Sequence, residues 1–267
     1  MRKEIKEPST TTYPGTTEAS TDLSRNNTIP QVPVTTQDLQ ASTTDESENL
    51  TPSKTEPAPV TTQDSDHHAT PSPASGRDLY YASRRGDLET VKRILAEGDV
   101  DINYRRGSWT PLMVAAYNGH RDVVEFLVDR EADMSLVNSD GSNVLHLACR
   151  RGRLETVKLI LPLNVVNINS RGGDSMTPVM EAARWGRRNV LEFLVGKGAD
   201  VSLVDRGGNS VLHIACRRGR LETVKLILDL DVVDIKVRNN YGWTAADMAR
   251  AYGHQRVLDL LVSRGAH

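Results

Sequence analysis

The chain is 267 residues long, with 33 Lys and Arg against 35 Asp and Glu, and only two cysteines. That length holds one or two domains, and two sparse cysteines with no CxxC spacing exclude a disulfide framework. The near balance of charge hides an asymmetry: residues 1–76 hold 5 basic and 11 acidic side chains, net −6, while residues 77–267 hold 28 and 24, net +4.

The chain opens on Met1-Arg2-Lys3-Glu4-Ile5-Lys6, without the apolar core of a secretory signal. No apolar run reaches the roughly 18 residues a spanning helix needs. The sequence therefore predicts a soluble, non-secreted protein, cytoplasmic and/or nuclear, with no membrane contact. Residues 1–76 contain 16 Thr, 9 Ser and 9 Pro, and no Trp, Phe or Cys. Such a composition cannot bury enough apolar surface to offset the ordering of the chain, so a disordered acidic tail is expected. It repeats one phrase, Pro-Val-Thr-Thr-Gln-Asp, at Pro33–Asp38 and Pro59–Asp64. Thr51-Pro52, Thr70-Pro71 and Ser72-Pro73 have the form of phosphorylation sites; Asn26-Asn27-Thr28 and Asn49-Leu50-Thr51 match the glycosylation sequon. A threonine-rich linker accounts for all of them without a recognition role.

From Asp78 onward a glycine returns at Gly86, Gly119, Gly152, Gly186, Gly219 and Gly253, at intervals of 33 or 34. A short apolar segment such as Pro111–Ala116 precedes each glycine, and a longer one such as Val123–Val128 follows, both with apolar residues at helical spacing. Turn-forming tips lie between. One 33-residue helix pair cannot cover its own apolar face; stacked pairs can. Val144–Leu161 and Val211–Leu228 are identical except for Leu147 against Ile214. Copying that stretch copies a layer of core. Cys149 and Cys216 fall at matching places in it and read as small buried side chains.

The period, the two helices per unit, Thr110-Pro111-Leu112…Ala115-Ala116…Gly119-His120 and Gly198-Ala199-Asp200-Val201 together resemble ankyrin repeats. The resemblance covers residues 77–267. It implies an all-α solenoid of about six helix-turn-helix repeats behind the disordered tail, with units near 77–104, 105–137, 138–170, 171–204, 205–237 and 238–267. Asp78–Gly98 resembles an N-terminal capping unit, and Gly242–Ala249 the start of a C-terminal one. The central units alternate. Those at Thr110 and Thr177 keep Thr-Pro but carry Met113 and Met180 where the family has histidine. Those at Asn143 and Ser210 keep His146 and His213 but lose Thr-Pro. The true period is thus about 67 residues, and both histidines read as structural. Asn103 and Asn169 stand where the family's tips carry an asparagine that can be hydroxylated; here they read as tip hydrogen-bonders.

The family binds partners in a concave groove lined by the two residues before each recurrent glycine and by the residue at each tip. Carried onto this chain, those positions give Arg84, Arg85, Tyr117, Asn118, Arg150, Arg151, Arg184, Trp185, Arg217, Arg218 and Tyr252, with Trp109, Met176 and Trp243 at the tips. All three tryptophans fall in these sets, and Tyr, Trp and Arg are the residues that most often dominate interface energy. With helices about 8–10 Å apart, the arginine pairs should form stripes roughly 20 Å apart. The implied function is a protein-binding scaffold, adaptor or inhibitor that takes an acidic segment of another protein, the chain's own residues 1–76 being a second candidate occupant. Surface pairing of these arginines with Glu89, Glu155 or Glu222 is the competing, purely structural explanation. No Gly-rich phosphate loop, HExxH, GxSxG or metal-spaced Cys/His cluster is present, so no cofactor, metal or catalysis is expected. A domain charge of only +4 argues against nucleic acid, although a nucleic-acid-associated or transcription-cofactor role is the alternative.

Overall fold

The computed structural model describes residues 75–266. The predicted tail disorder, its repeated phrase, its phosphorylation-like sites and its sequons lie outside the described residues. Among the described residues, twelve α-helices pair into six hairpins: α1 (Gly76–Arg85) with α2 (Leu88–Ala96), α3 (Pro111–Asn118) with α4 (Arg121–Asp129), α5 (Val144–Arg151) with α6 (Leu154–Ile160), α7 (Pro178–Arg184) with α8 (Arg188–Gly196), α9 (Val211–Arg217) with α10 (Leu221–Asp229), and α11 (Ala245–Ala251) with α12 (Gln255–Ser263). Single 3₁₀ turns span Leu161–Leu163 and Gly173–Ser175. The first helices of the hairpins pack side by side in one row, the second helices in another. This is the all-α solenoid the repeat spacing predicts.

The two rows differ as their sequences require. In α3 every residue from Pro111 to Ala116 is buried, because neighbours press on it from both sides. The outer helices bury one stripe each: Val123, Val124 and Leu127 in α4, and Val190, Leu191 and Leu194 in α8. Cys149 and Cys216 are buried free thiols in the inner row, and burial raises both pKa values, so neither ionises near neutrality.

Caps explain how units without Thr-Pro still start a helix. The Thr110 hydroxyl accepts from the Met113 amide at 3.2 Å. In α5 the Asn143 side chain accepts from the Leu145 and His146 amides at 3.1 and 3.2 Å. At α11 the Thr244 amide donates to the Asp247 carboxylate at 2.9 Å, and the Asp247 amide donates back to the Thr244 hydroxyl at 3.2 Å. His146 and His213 are structural, as expected: their Nε2 atoms lie 3.1 and 2.9 Å from the Met176 and Trp243 carbonyls of the next tips. Where methionine replaces histidine that link is lost; Met180 Sδ instead receives the Thr177 amide at 3.5 Å, a weaker acceptor. Asn103 and Asn169 accept from the Asp133 and Asp200 amides at 2.9 Å each, joining successive tips.

A second ladder runs along the array. The residue after each interior glycine lies against the backbone of the preceding unit. His120 Nε2 is 3.0 Å from the Arg84 carbonyl, and His254 Nε2 is 3.0 Å from that of Arg217. Between them Arg153, Arg187 and Arg220 donate through Nε to the Tyr117, Arg150 and Arg184 carbonyls at 3.3, 3.1 and 3.4 Å. This contact, with the left-handed backbone, accounts for the recurrent glycine. At Gly119, where φ is +84°, an added Cβ would lie 2.6 Å from Arg153 Cδ. At Gly253, where the described chain stacks no further unit, the same Cβ would meet nothing within 4 Å.

Candidate partner-binding face

The fourteen groove positions separate into distinct environments. Arg85 is exposed; Arg84, Trp109, Tyr117, Asn118, Arg150, Arg151, Arg184, Trp185, Arg217, Arg218 and Tyr252 are half-buried. Met176 is 3% exposed and packs with Met180 and Ile214. It belongs to the core, because the tip ahead of α7 folds inward onto the inner row. Trp243 is also buried, and its carbonyl holds His213. Asn118 spends its amide on the Arg84 carbonyl at 3.2 Å.

Three of the positions come together early in the array. The Trp109 and Tyr117 rings meet edge to face with centroids 5.4 Å apart. The Arg151 guanidinium lies 4.8 Å from the centre of the Tyr117 ring. This cluster joins units two and three and leaves part of each ring and the cation open. A cluster absent from the predicted set forms at the N-terminal end, where Arg106 stands 4.9 Å from the Tyr81 ring and 5.7 Å from Tyr80.

The two copied arginines have different surroundings. Arg150 grips Glu181 with two prongs, Nε to Oε2 at 3.2 Å and Nη2 to Oε1 at 3.0 Å. Nη2 also reaches the Ser142 hydroxyl at 3.5 Å, and Nη1 stands 3.9 Å from the Asp140 carboxylate. The Glu181 side chain is only 4% exposed and that of Arg150 22%. Burial alone would weaken the guanidinium's hold on its proton; the Glu181 charge and hydrogen bonds outweigh it and raise the Arg150 pKa above its ordinary value. Arg217, by contrast, makes no ion pair among the described residues, and its Nε is buried without a hydrogen-bond partner. The indole Nε1 of Trp185 is likewise buried and unpartnered.

Glu181 is the residue the sequence reading missed, and a signal for it exists. Its register position holds Tyr81, Val114, Leu147, Ile214 and Met248 in the other five units. One carboxylate in an uncharged column, within the buried stretch Pro178–Ala183, requires a cation opposite. Among the described residues, the competing pairing of Glu89, Glu155 or Glu222 with Arg150 or Arg217 does not form. Those carboxylates lie on the outer helices against Lys92, Lys158 and Lys225 at 2.9, 2.8 and 3.7 Å. Among the described residues no helix is long and apolar enough to cross a membrane.

Comparison with known proteins places this architecture. The target of rapamycin complex 2 subunit AVO2 of Saccharomyces cerevisiae is 29% identical over 174 residues, 62% of this chain and 41% of that protein. The E3 ubiquitin-protein ligase XBAT33 of Arabidopsis thaliana is 29% identical over 213 residues, 67% of this chain and 40% of that protein. The chain thus spans less than half the length of these curated relatives. A chain in the structure of the Bd0816 predatory endopeptidase from Bdellovibrio bacteriovorus in complex with immunity protein Bd3460 matches with a TM-score of 0.63 at 25% identity, covering 72% of this chain and 100% of that one. The family model for ankyrin repeats (3 copies) matches residues 77–138, 130–205 and 197–267, and over that unbroken span the chain belongs to the ankyrin repeat family.

Proposed function

We propose that residues 77–267 are a non-catalytic binding module whose inner-row face takes an acidic segment of another protein, as a scaffold, adaptor or inhibitor in the cytoplasm or nucleus. Ankyrin repeats are protein-interaction modules; one relative is named as a subunit of a larger complex, and the matched structure is itself a complex. The single observation carrying the finer reading is the Trp109–Tyr117–Arg151 cluster. There a cation and two rings are preassembled at half exposure, with little side-chain freedom left to lose on binding. The cation suits a carboxylate and the ring faces suit the apolar residues beside it.

The test is a titration of the whole chain with a peptide of alternating glutamate and leucine, read by tryptophan emission. A saturable change that the glutamine counterpart does not produce supports the reading. Tyr117→Ala should weaken binding about tenfold, since it removes a ring and the seat of a cation. Equal binding by random-sequence DNA, weakening steeply with salt, would instead favour the phosphate-binding alternative.

A further inference from the structure

The 67-residue duplication supplies an internal control for every side chain in it. Arg150 and Arg217 occupy the same place in two nearly identical helices. The groups that satisfy Arg150 are Glu181, Asp140 and Ser142. The residues at the matching places around Arg217 are Met248, Gly207 and Asn209. Both carboxylates are gone. The third neighbour is already occupied: Asn209 donates to the Asp205 carboxylate at 3.0 and 3.1 Å and accepts from Asn239 at 2.8 Å. Met248 is buried and offers no charge. Arg217 therefore sits on a duplicated helix with its backbone carbonyl bonded by His254 and a buried Nε–H that has no acceptor among the described residues.

We infer that Arg217 is an open carboxylate socket, filled by a glutamate or aspartate side chain of an acidic partner segment. The molecule displays the ligand chemistry itself, since the equivalent guanidinium closes on Glu181 in a two-pronged pair. Pairing with an arriving carboxylate removes the cost of a buried unmet donor. Arg218, next along the chain, and Arg184, on the preceding inner helix, add positive charge to the approach. At the places of Arg184 and Arg218 the earlier copy carries Tyr117 and Arg151, the stacked pair. One half of the face is thus built around rings and an internally neutralised arginine. The other half is built around Arg217, which makes no ion pair among the described residues.

This inference deepens the acidic-partner reading and rests on it, and the two fail differently. Met248→Glu returns a carboxylate to the register of Glu181. It should close the socket from within and weaken binding of the glutamate–leucine peptide by about tenfold or more, whereas Met248→Leu should bind like the wild type. Arg217→Met should lose the same factor. A second readout does not depend on affinity. The Nε–H resonance of Arg217, followed by nitrogen-edited NMR on the full chain, should move downfield on adding peptide, as a hydrogen bond to a carboxylate requires. In Met248→Glu it should lie downfield from the start, as the hydrogen-bonded Nε–H of Arg150 should. If the peptide binds the wild type yet Met248→Glu and Arg217→Met bind equally well, the socket is wrong and the wider face stands. If no acidic peptide binds, both fall. An Arg217 Nε–H resonance already as far downfield as that of Arg150 in the free full-length chain would also overturn the inference, since the socket would be filled from within the molecule.

Discussion

The helix pair from Val144 to Leu161 and its copy from Val211 to Leu228 differ at one residue, yet their arginines lead different lives. Arg150 is neutralised by Glu181 on the next inner helix; Arg217 faces Met248 there. The helices themselves bury matching residues, Val144 to Cys149 in the first and Val211 to Cys216 in the second. In a one-dimensional array a unit's backbone is set by its own sequence, but the role of a surface-directed side chain is set by its neighbour. Duplication copied the arginine without copying its partner.

Removing the two guanidiniums in turn gives the largest expected contrast. Arg150→Met strands a buried carboxylate and should cost about 3 kcal/mol, seen as a lower urea midpoint at unchanged slope. Arg217→Met strands nothing and should change stability by less than about 0.5 kcal/mol, or raise it. Equal losses in the two variants would mean that Arg217 has an internal partner after all, and the distinction between the halves would collapse.

A smaller contrast separates an interior unit from the last described one. Gly119→Ala meets both a left-handed backbone and the Arg153 side chain, whose bond to the Tyr117 carbonyl it would displace. A loss of about 2 kcal/mol is expected. Gly253→Ala meets the backbone term alone, for about 1 kcal/mol. Should the two cost the same, the packing of each unit's post-glycine residue on its predecessor contributes nothing.

Much of this was legible before any coordinates. The glycine period and the helical spacing of apolar residues fix the hairpins and the rows, because a unit that cannot bury its own face must stack. The structural duty of His146 and His213 was legible for the same reason: it depends on a short pattern within one unit and the tip that follows. The face was legible only in outline. Pre-glycine positions do lie along the inner row, but Met176 is in the core and Asn118 is spent on the Arg84 carbonyl. Which arginine is satisfied depends on a residue about 31 positions away, and a repeat pattern averages over such positions. Glu181 is conspicuous only when the units are aligned column by column.

Acid should affect the two halves in the same sense. His146 and His213 are buried, and that burial is the largest influence on each, holding both pKa values below the usual range against the opposing pull of backbone carbonyls. The unfolded chain, with histidines near about 6.5, then binds more protons than the folded one. The stabilising contribution is complete above about pH 6.5 and is lost as pH falls toward the folded values. Urea midpoints should decline between about pH 7.5 and about pH 5.5, and His213→Asn should flatten that decline in part. A flat profile in the wild type would show that burial does not hold these imidazoles below the pKa of the unfolded chain.

The smallest effect belongs to residues copied together with their partners. Glu155 pairs with Lys158 and Glu222 with Lys225, three residues apart on exposed outer helices. Water screens both members and the long side chains must be ordered to meet. Glu155→Gln and Glu222→Gln should therefore leave the unfolding midpoint where it is, and alike in both. Here each carboxylate and its lysine lie within one helix, so duplication carried the whole interaction. At Arg150 and Glu181 the interaction crosses a unit boundary, so it carried half. If Glu155→Gln and Glu222→Gln differed measurably from one another, the halves would diverge on the outer row too, and the contrast could no longer be assigned to the boundary between α5 and α7.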